Sequence, residues 1–346
     1  MPEVTLDVHE YSAVSEKWVK QGFIKNADVQ LGKVSNANIA AQIYDYSARI
    51  FIPSIGSILK NQGYTFHEYL VGTPFEGSRL RYSTTAVNDG RQSFGIFNTF
   101  SFIQEGIQFG DLITRIDYRV NAQVFALITF LTTVAQNTQD ILQIIRETRQ
   151  QILENDRIKN PRVFIQMDYY PDSTMMVSNF PIFDLLTWQK EERALENFQG
   201  KVKVRKSIEK PVAYLIPASE NRLLEVLSRH RIEMNPLTEK RTLQVFAYQI
   251  MHVTTFQEEE NDVPYVDVQV KNISQDFEKG SMIIYLSQPA GNLLPLLLEP
   301  QSRFSLCGEN SGRKYNFSEY LKENSEYPIY RLMEQANLHH IKGEKN

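Results

Sequence analysis

The stretch that decides the fold of this chain is Val4-Thr5-Leu6-Asp7-Val8-His9-Glu10-Tyr11-Ser12. Its apolar residues alternate with polar ones, a pattern that predicts a strand built into a core sheet. The stretch ends by presenting His9 beside a carboxylate and a tyrosine. Because a strand end is rigid while its outermost side chains face a cleft, this placement suits a metal ligand, although a single strand-end histidine is by itself more often structural.

The string His9-Glu10-Tyr11-Ser12 resembles the third zinc-ligand segment of the carboxypeptidase A-like zinc metallocarboxypeptidases. The stretch from Ser93 to Gly106 looks like the family's later core strand, which ends in the glutamate that activates the zinc-bound water. Residues 279–289 and 327–331 are similar to the tail of large bacterial members with a C-terminal extension. The resemblance implies peptide hydrolysis with zinc as cofactor, His9 as a ligand and Glu105 as the general base.

The chain departs from the family at the HxxE pair, which supplies the first two zinc ligands upstream of the third. The single HxxE string here is His230-Arg231-Ile232-Glu233, far downstream of His9. We interpret that string as a helix end leading into a strand. The sequence therefore predicts the C-terminal part of a carboxypeptidase, inactive as an isolated chain. The alternative, from a different class, is a non-catalytic peptide- or carbohydrate-binding module derived from the same fold.

Arginines are suited to hold the terminal carboxylate of a peptide substrate, because the planar guanidinium donates two parallel hydrogen bonds. Arg91 follows the turn signal Asn88-Asp89-Gly90, and two further arginines lie close by in sequence. His67 begins a second His-Glu-Tyr string and is a weaker candidate for a metal ligand. The predicted substrate-binding residues are Arg91, Arg79, Arg81, Tyr11 and Tyr82.

Composition indicates a globular protein. The chain has 346 residues, 42% of them hydrophobic, and a net charge of −4. A net negative charge provides no positive surface to attract the phosphates of nucleic acid. The apolar run from Phe125 to Val134 is too short to span a bilayer. One cysteine, Cys307, excludes an intrachain disulfide, and we predict a free surface or half-buried thiol. From the first residues of the sequence we predict no signal peptide, whereas the resemblance implies a periplasmic or secreted parent.

The sequence predicts an α/β fold in two parts. Residues 1–155 read as the C-terminal half of a carboxypeptidase-like domain, a mixed sheet with packed helices. Residues 161–346 read as a β-rich α+β extension. In the first part, one helix is predicted from Ile39 to Leu59 with a kink or break at Pro53. A second apolar rhythm from Ile116 to Ile152 predicts one long amphipathic helix, or two around Asn137.

The second part is predicted to be mainly short strands, with a helix over 222–227 that Ser219 could cap. We interpret the acidic run 258–260 as a solvated loop, and His339 and His340 as part of a polar tail. Absence of the family's upstream strands predicts an uncovered sheet edge and self-association through it. The predicted strands cover 163–167, 202–205, 212–216, 243–248, 265–270 and 282–286.

Overall fold

A computed structural model of the chain describes residues 1–75, 77–155, 157, 161–172, 175–258, 261–308 and 316–334. Helices and several sheets are present, so the predicted α/β class is confirmed. His339, His340 and the acidic residues at 259 and 260 lie outside the described residues. No helix within the described part of the chain is long and apolar enough to cross a membrane.

The strands, in chain order, are β1 (Val4–Ser12), β2 (Phe23–Lys25), β3 (Val29–Gly32), β4 (Phe66–Glu68), β5 (Leu80–Arg81), β6 (Phe100–Gln108), β7 (Arg162–Tyr170), β8 (Val177–Asp184), β9 (Gln189–Leu195), β10 (Phe198–Gln199), β11 (Lys201–Glu209), β12 (Ala213–Ile216), β13 (Asn235–Pro236), β14 (Arg241–Glu258), β15 (Asn261–Phe277), β16 (Met282–Tyr285) and β17 (Tyr330–Leu332). The α-helices are α1 (Glu16–Val19), α2 (Ala41–Tyr46), α3 (Ile52–Asn61), α4 (Gly90–Gly95), α5 (Ile116–Gln136), α6 (Thr138–Leu153), α7 (Asn221–Arg229) and α8 (Leu294–Leu298). A π-helical stretch, Ser47–Phe51, joins α2 to α3, and Ser318–Leu321 forms a 3₁₀ turn.

The chain forms two compact units. The first comprises Met1–Thr148 and Met167–Val204, and the second comprises Arg149–Gln166 and the described residues from Arg205 onward. The segment 167–204 thus folds with the N-terminal part of the chain.

A four-stranded mixed sheet in the order β1-β6-β3-β4 organises the first unit. β1 runs parallel to β6, β3 runs antiparallel to β6, and β4 runs parallel to β3. The strand predicted over Val4–Ser12 is therefore confirmed, and it forms one edge of this sheet.

The two faces of the sheet differ in chemistry because successive side chains of β6 point to opposite sides. On one face, Phe102 packs between Phe51 and Phe130, with ring centroids 4.8 Å and 5.2 Å away. That face carries α3 and α5. On the other face, β6 presents Ser101 and Glu105. Ser101 and Glu105 are buried as well, so β6 supplies an aromatic core on one face and buried polar side chains on the other.

Of the two alternatives predicted at Pro53, a kink or a break, the break is wrong, and a π-helical stretch lies just before this proline. Pro53 lies in the first turn of α3, where a missing backbone N–H is tolerated, and the helical path from α2 continues into α3 through the π-helical stretch. The alternative of two helices around Asn137 is confirmed, since α5 ends at Gln136 and α6 begins at Thr138.

The apolar rhythm predicted from Ile116 to Ile152 marks the buried side of α6, where Ile141 and Ile145 are buried, but not that of α5. Its apolar residues Ile116, Val120, Val124 and Leu131 are 46–56% exposed. Ala122, Ala126 and Phe130 are buried instead, on the side that contacts α3 and β6. Small residues let the helix approach its neighbours closely, and periodicity alone could not rank two faces that are both apolar.

The stretch around Asp89 also differs from expectation. Residues predicted as a turn begin α4, because Asp89 Oδ1 accepts hydrogen bonds from the backbone N–H groups of Arg91 (3.1 Å) and Gln92 (3.4 Å). The strand that was expected from Ser93 begins only at Phe100. This short helix, rather than a strand, delivers Arg91.

The second unit contains a six-stranded antiparallel sheet in the order β13-β16-β12-β17-β14-β15. The strands predicted after Pro161 are all present, and a helix covers the predicted 222–227. Ser219 does not cap it, since Glu220 precedes the first helical residue and makes no side-chain cap bond. Cys307 is a free cysteine as predicted but is buried, with its Sγ 3.5 Å from the hydroxyl of Tyr327.

Candidate active site

Four polar side chains form a row across the sheet of the first unit. Strand register pairs His9 of β1 with Glu105 of β6, Glu105 with Gln30 of β3, and Gln30 with His67 of β4. Residues that pair directly across neighbouring strands share a face of the sheet. The two residues with predicted chemical roles, His9 and Glu105, are therefore neighbours on adjacent parallel strands.

Glu105 is a buried carboxyl group with unused hydrogen-bonding capacity. It is 6% exposed, lies inside β6 rather than at its end, and its Oε2 has no hydrogen-bond partner. Burial raises the pKa of Glu105, against the opposing effects of His9, a hydrogen bond from Tyr69, and Arg91. A carboxyl group with a raised pKa is suited to accept a proton and release it again.

His9 is half exposed, and its Nε2 lies 3.0 Å from Asp7 Oδ1. The backbone carbonyl of His9 accepts a hydrogen bond of 2.7 Å from Gln123 of α5, which fixes the strand against that helix. The imidazole therefore stands beside Glu105 and opens to solvent.

The described residues do not complete a zinc site. No group of three or more His, Cys, Asp or Glu side chains in that part of the chain could hold a metal ion. His67, the weaker candidate, is at the other end of the row, with its ring 4.9 Å from that of Phe180 and its Nδ1 2.7 Å from the carbonyl of Glu68. His9 alone falls short of the three protein ligands of a catalytic zinc.

Arg91 is the predicted substrate-binding arginine that lies near Glu105. Its guanidinium is buried, Nη2 donates to Ser83 Oγ and contacts Asp89 Oδ2 at 3.3 Å, and Nε has no partner. The guanidinium lies 5.1 Å from the ring centre of Tyr69. Tyr69 in turn hydrogen-bonds to Glu105, so one tyrosine links the cation to the carboxyl group.

The other two arginines are occupied elsewhere in the first unit. Arg79 binds Asp168 Oδ1 (2.9 Å), the carbonyl of Tyr169 (2.9 Å) and Gln199 (3.0 Å). Arg81 donates to the carbonyl of Ser83. Arg79 thus does not contact Glu105. The hydrogen bond of Arg81 goes to Ser83, two residues further along the chain.

The two predicted tyrosines lie in different surroundings. Tyr11 is buried, its hydroxyl donates to the carbonyl of Ala27 at 2.6 Å, and burial raises its pKa. Tyr82 lines a cavity of about 320 Å³, together with Lys33, Tyr44, Glu68, Tyr69 and Arg91. Tyr82 is therefore placed as a pocket residue, and Tyr11 as a packing residue beneath the row.

Sequence reasoning missed Tyr69, Lys25 and the Lys33–Glu68 ion pair. Tyr69 ends the second His-Glu-Tyr string, and it is this tyrosine, rather than His67, that hydrogen-bonds to Glu105. Burial lowers the pKa of Lys25 to about 8, while attraction to Glu105 opposes the shift. Nothing in a single sequence distinguishes these lysines from surface ones.

Comparison with known proteins supports a relationship to carboxypeptidases. The chain is 22% identical over 347 residues to carboxypeptidase 2 of Trichophyton rubrum, covering 96% of this chain and 60% of the fungal protein. Carboxypeptidase 2 of Trichophyton equinum gives the same identity and coverage. The probable carboxypeptidase 2 of Arthroderma benhamiae is 21% identical over 313 residues, 87% of this chain and 57% of that protein.

The chain thus spans about 60% of the length of the curated relatives it matches. No protein-family model matches the chain, and no solved structure matches it.

Proposed function

We propose that this chain is part of a carboxypeptidase-type peptide hydrolase in which Glu105 is the general base. The observation that carries the proposal is the buried Glu105, with an unpartnered oxygen and a raised pKa, paired in register with His9. Relatives named carboxypeptidase support the reaction class. The substrate is a peptide, and the bond cleaved is the one before its C-terminal residue.

Glu105, Tyr69 and Arg91 have separate roles in the proposed reaction. Glu105 accepts a proton from water as that water attacks the peptide carbonyl, and returns the proton to the leaving amine. Tyr69 holds the Glu105 carboxyl group through its hydrogen bond. Arg91 lines the cavity with Tyr69, and we assign it the binding of a carboxylate of the substrate because a guanidinium donates two parallel hydrogen bonds.

Zinc is the cofactor proposed for the whole protein, in the metallocarboxypeptidase class that the sequence resembles, with His9 as one ligand. The described residues supply no complete set of ligands, so we assign no step to the metal. A periplasmic or secreted location is proposed from the same resemblance. Self-association is proposed through the outer edge of β1, which is the end strand of its sheet.

Hydrolysis by the full-length product of the gene tests this function. The substrates are a peptide with a free C-terminus and the same peptide as its C-terminal amide. Wild-type protein should cleave the free peptide in preference to the amide. Glu105→Gln should reduce turnover by about 10²–10⁴-fold, because an amide keeps the shape but cannot accept the proton.

Glu10→Gln is the matched control. Glu10 lies on the neighbouring strand but faces α5, where it pairs with Arg119 (2.6 Å), so its substitution should leave turnover near the wild-type level. Near-normal turnover in Glu105→Gln would refute the role of Glu105. Equal cleavage of both peptides would indicate an endopeptidase or amidase. Peptide or glycan binding without hydrolysis, unaffected by chelators, would favour the non-catalytic binding module.

A further inference from the structure

Helix α5 presents a stripe of exposed apolar side chains. Ile116, Val120, Val124 and Ile128 recur at every fourth residue and therefore lie on one face of the helix, and Leu131 extends that face. These five residues, which we call the α5 stripe, are 46–56% exposed. The opposite side of α5 packs on α3 and β6, so the helix is apolar on both sides while only one of them is buried.

The exposed side of α5 also lacks charge. Between Arg119 and Asp140 the sequence contains no charged residue, and Arg119 itself is buried in its pairing with Glu10. The next helix, α6, has an ordinary solvated side, since its exposed residues include Asp140, Arg146 and Glu147. An exposed helix face that is apolar and uncharged is typical of a contact with another protein surface.

The area of this surface matches an interface of ordinary size. Leu112 and Ile113, directly before α5, are 76% and 79% exposed. Together with the α5 stripe they offer roughly 800 Å² of accessible surface, which is about what each partner buries in a standard protein–protein interface. The largest apolar patch on a typical monomer covers only about 300–600 Å².

The occupant that fits this surface is the same surface of a second copy of the chain. We propose that the chain forms a two-fold symmetric dimer in which α5 packs antiparallel against α5 of its partner, with Val124 at the axis. The α5 stripe complements itself about this residue, because Val120 of one copy meets Ile128 of the other. Arg115 and Asp117, the exposed charged residues at the start of α5, then lie at opposite ends of the contact in the two copies. No like charges face each other.

Other occupants fit this surface less well. A helix that lies on a membrane surface carries several Lys or Arg residues on its polar side, whereas Arg115 is the one exposed basic residue between positions 112 and 138. The longer segments outside the described residues, 309–315 and 335–346, are mainly polar in sequence and contain no comparable apolar stripe. A second copy is therefore the partner that the chain itself provides.

Sedimentation velocity of the chain over a series of concentrations tests the proposal. We expect a monomer–dimer equilibrium with a dissociation constant of about 10 µM or lower, in keeping with the area available. Val124→Glu should weaken the dimer by about 100-fold or more, because it places two carboxylates against each other at the axis. Val124→Lys should weaken it in the same way with two ammonium groups.

An equimolar mixture of the Val124→Glu and Val124→Lys proteins should dimerise again, because the axis then brings opposite charges together. Misfolding of either variant could not produce this restoration. Leu142→Glu is the matched control, since Leu142 on α6 is similarly exposed (43%) but lies outside the α5 stripe. This variant should dimerise as the wild type does.

A wild-type chain that stays monomeric at ten times the expected dissociation constant would overturn the proposal. Equal weakening by Leu142→Glu, or no restoration in the mixture, would overturn it as well. Three results would assign the contact elsewhere and so contradict an α5 dimer. Dissociation by Val8→Glu on β1, with Val124→Glu still dimeric, would move the contact to the β1 edge. Binding of a monomeric wild type to phosphatidylcholine vesicles would indicate a membrane surface. A monomeric full-length gene product that Val124→Glu destabilises in urea would show that the rest of that product covers α5.

Discussion

Gly32→Ala should move Arg91 and thereby weaken the carboxylate site. A Cβ at position 32 would lie 2.5 Å from Arg91 Nη1, 2.9 Å from Ile103 Cγ2 and 3.0 Å from Tyr69 Cβ. Nη1 would have to withdraw by about 0.9 Å to reach ordinary contact, while Ile103 lies in β6 and the Tyr69 Cβ is fixed to the backbone directly after β4, so neither can move as easily. Overpacking of this kind costs about 1–3 kcal/mol of the free energy of unfolding.

Urea unfolding measures the stability loss, and calorimetry with a short peptide that has a free C-terminus measures the loss of binding. The matched control is Gly106→Ala on β6, whose Cβ would meet the side-chain amide of Gln123 at 2.3 Å on the opposite face. It should also destabilise the protein, by about 1–2 kcal/mol through the disturbed hydrogen bonds, but leave peptide binding unchanged. Wild-type stability and binding in Gly32→Ala would refute the reasoning, as would equal loss of binding in both variants.

Three further predictions concern the same unit. Phe102→Ala should cost about 3–5 kcal/mol in urea unfolding, because the fully buried ring packs 4.8 Å from Phe51; a loss below about 1 kcal/mol would contradict that packing. Burial lowers the pKa of Lys25 to about 8, so between that pH and the unfolded lysine value near 10.4 the unfolded chain holds more protons than the folded one. The free energy of unfolding should therefore rise with pH over this range. Lys25→Met should flatten the rise in unfolding measured at several pH values, and an unchanged slope would exclude Lys25 as its source. Zinc titration of this chain should show only weak binding, since the described residues lack a group of three metal ligands. A one-to-one site of nanomolar affinity that His9→Ala abolishes would show instead that the chain has a complete set of ligands.

Local sequence was enough to place His9 and Glu105 on strands. Alternation along residues 4–12 and the β-rich run that contains Phe100 and Phe102 are short-range signals, and both segments are strands in the structure. Sequence could not separate the three candidate arginines. Arg79 and Arg91 lie twelve positions apart in the chain (91 − 79), with Arg81 between them, yet Arg79 reaches Asp168 and Arg91 reaches Tyr69.

Sequence by itself determined the class of fold, about half of the strands in the described residues, and the residue types able to carry acid–base chemistry. Only the tertiary structure decided which of those residues meet. Strand register, a long-range property, aligns His9, Glu105, Gln30 and His67 in one row and puts their neighbours in sequence on the helix-covered face. Burial, which raises the pKa of Glu105, likewise depends on segments distant in sequence, because the desolvation of a side chain is set by every element packed around it.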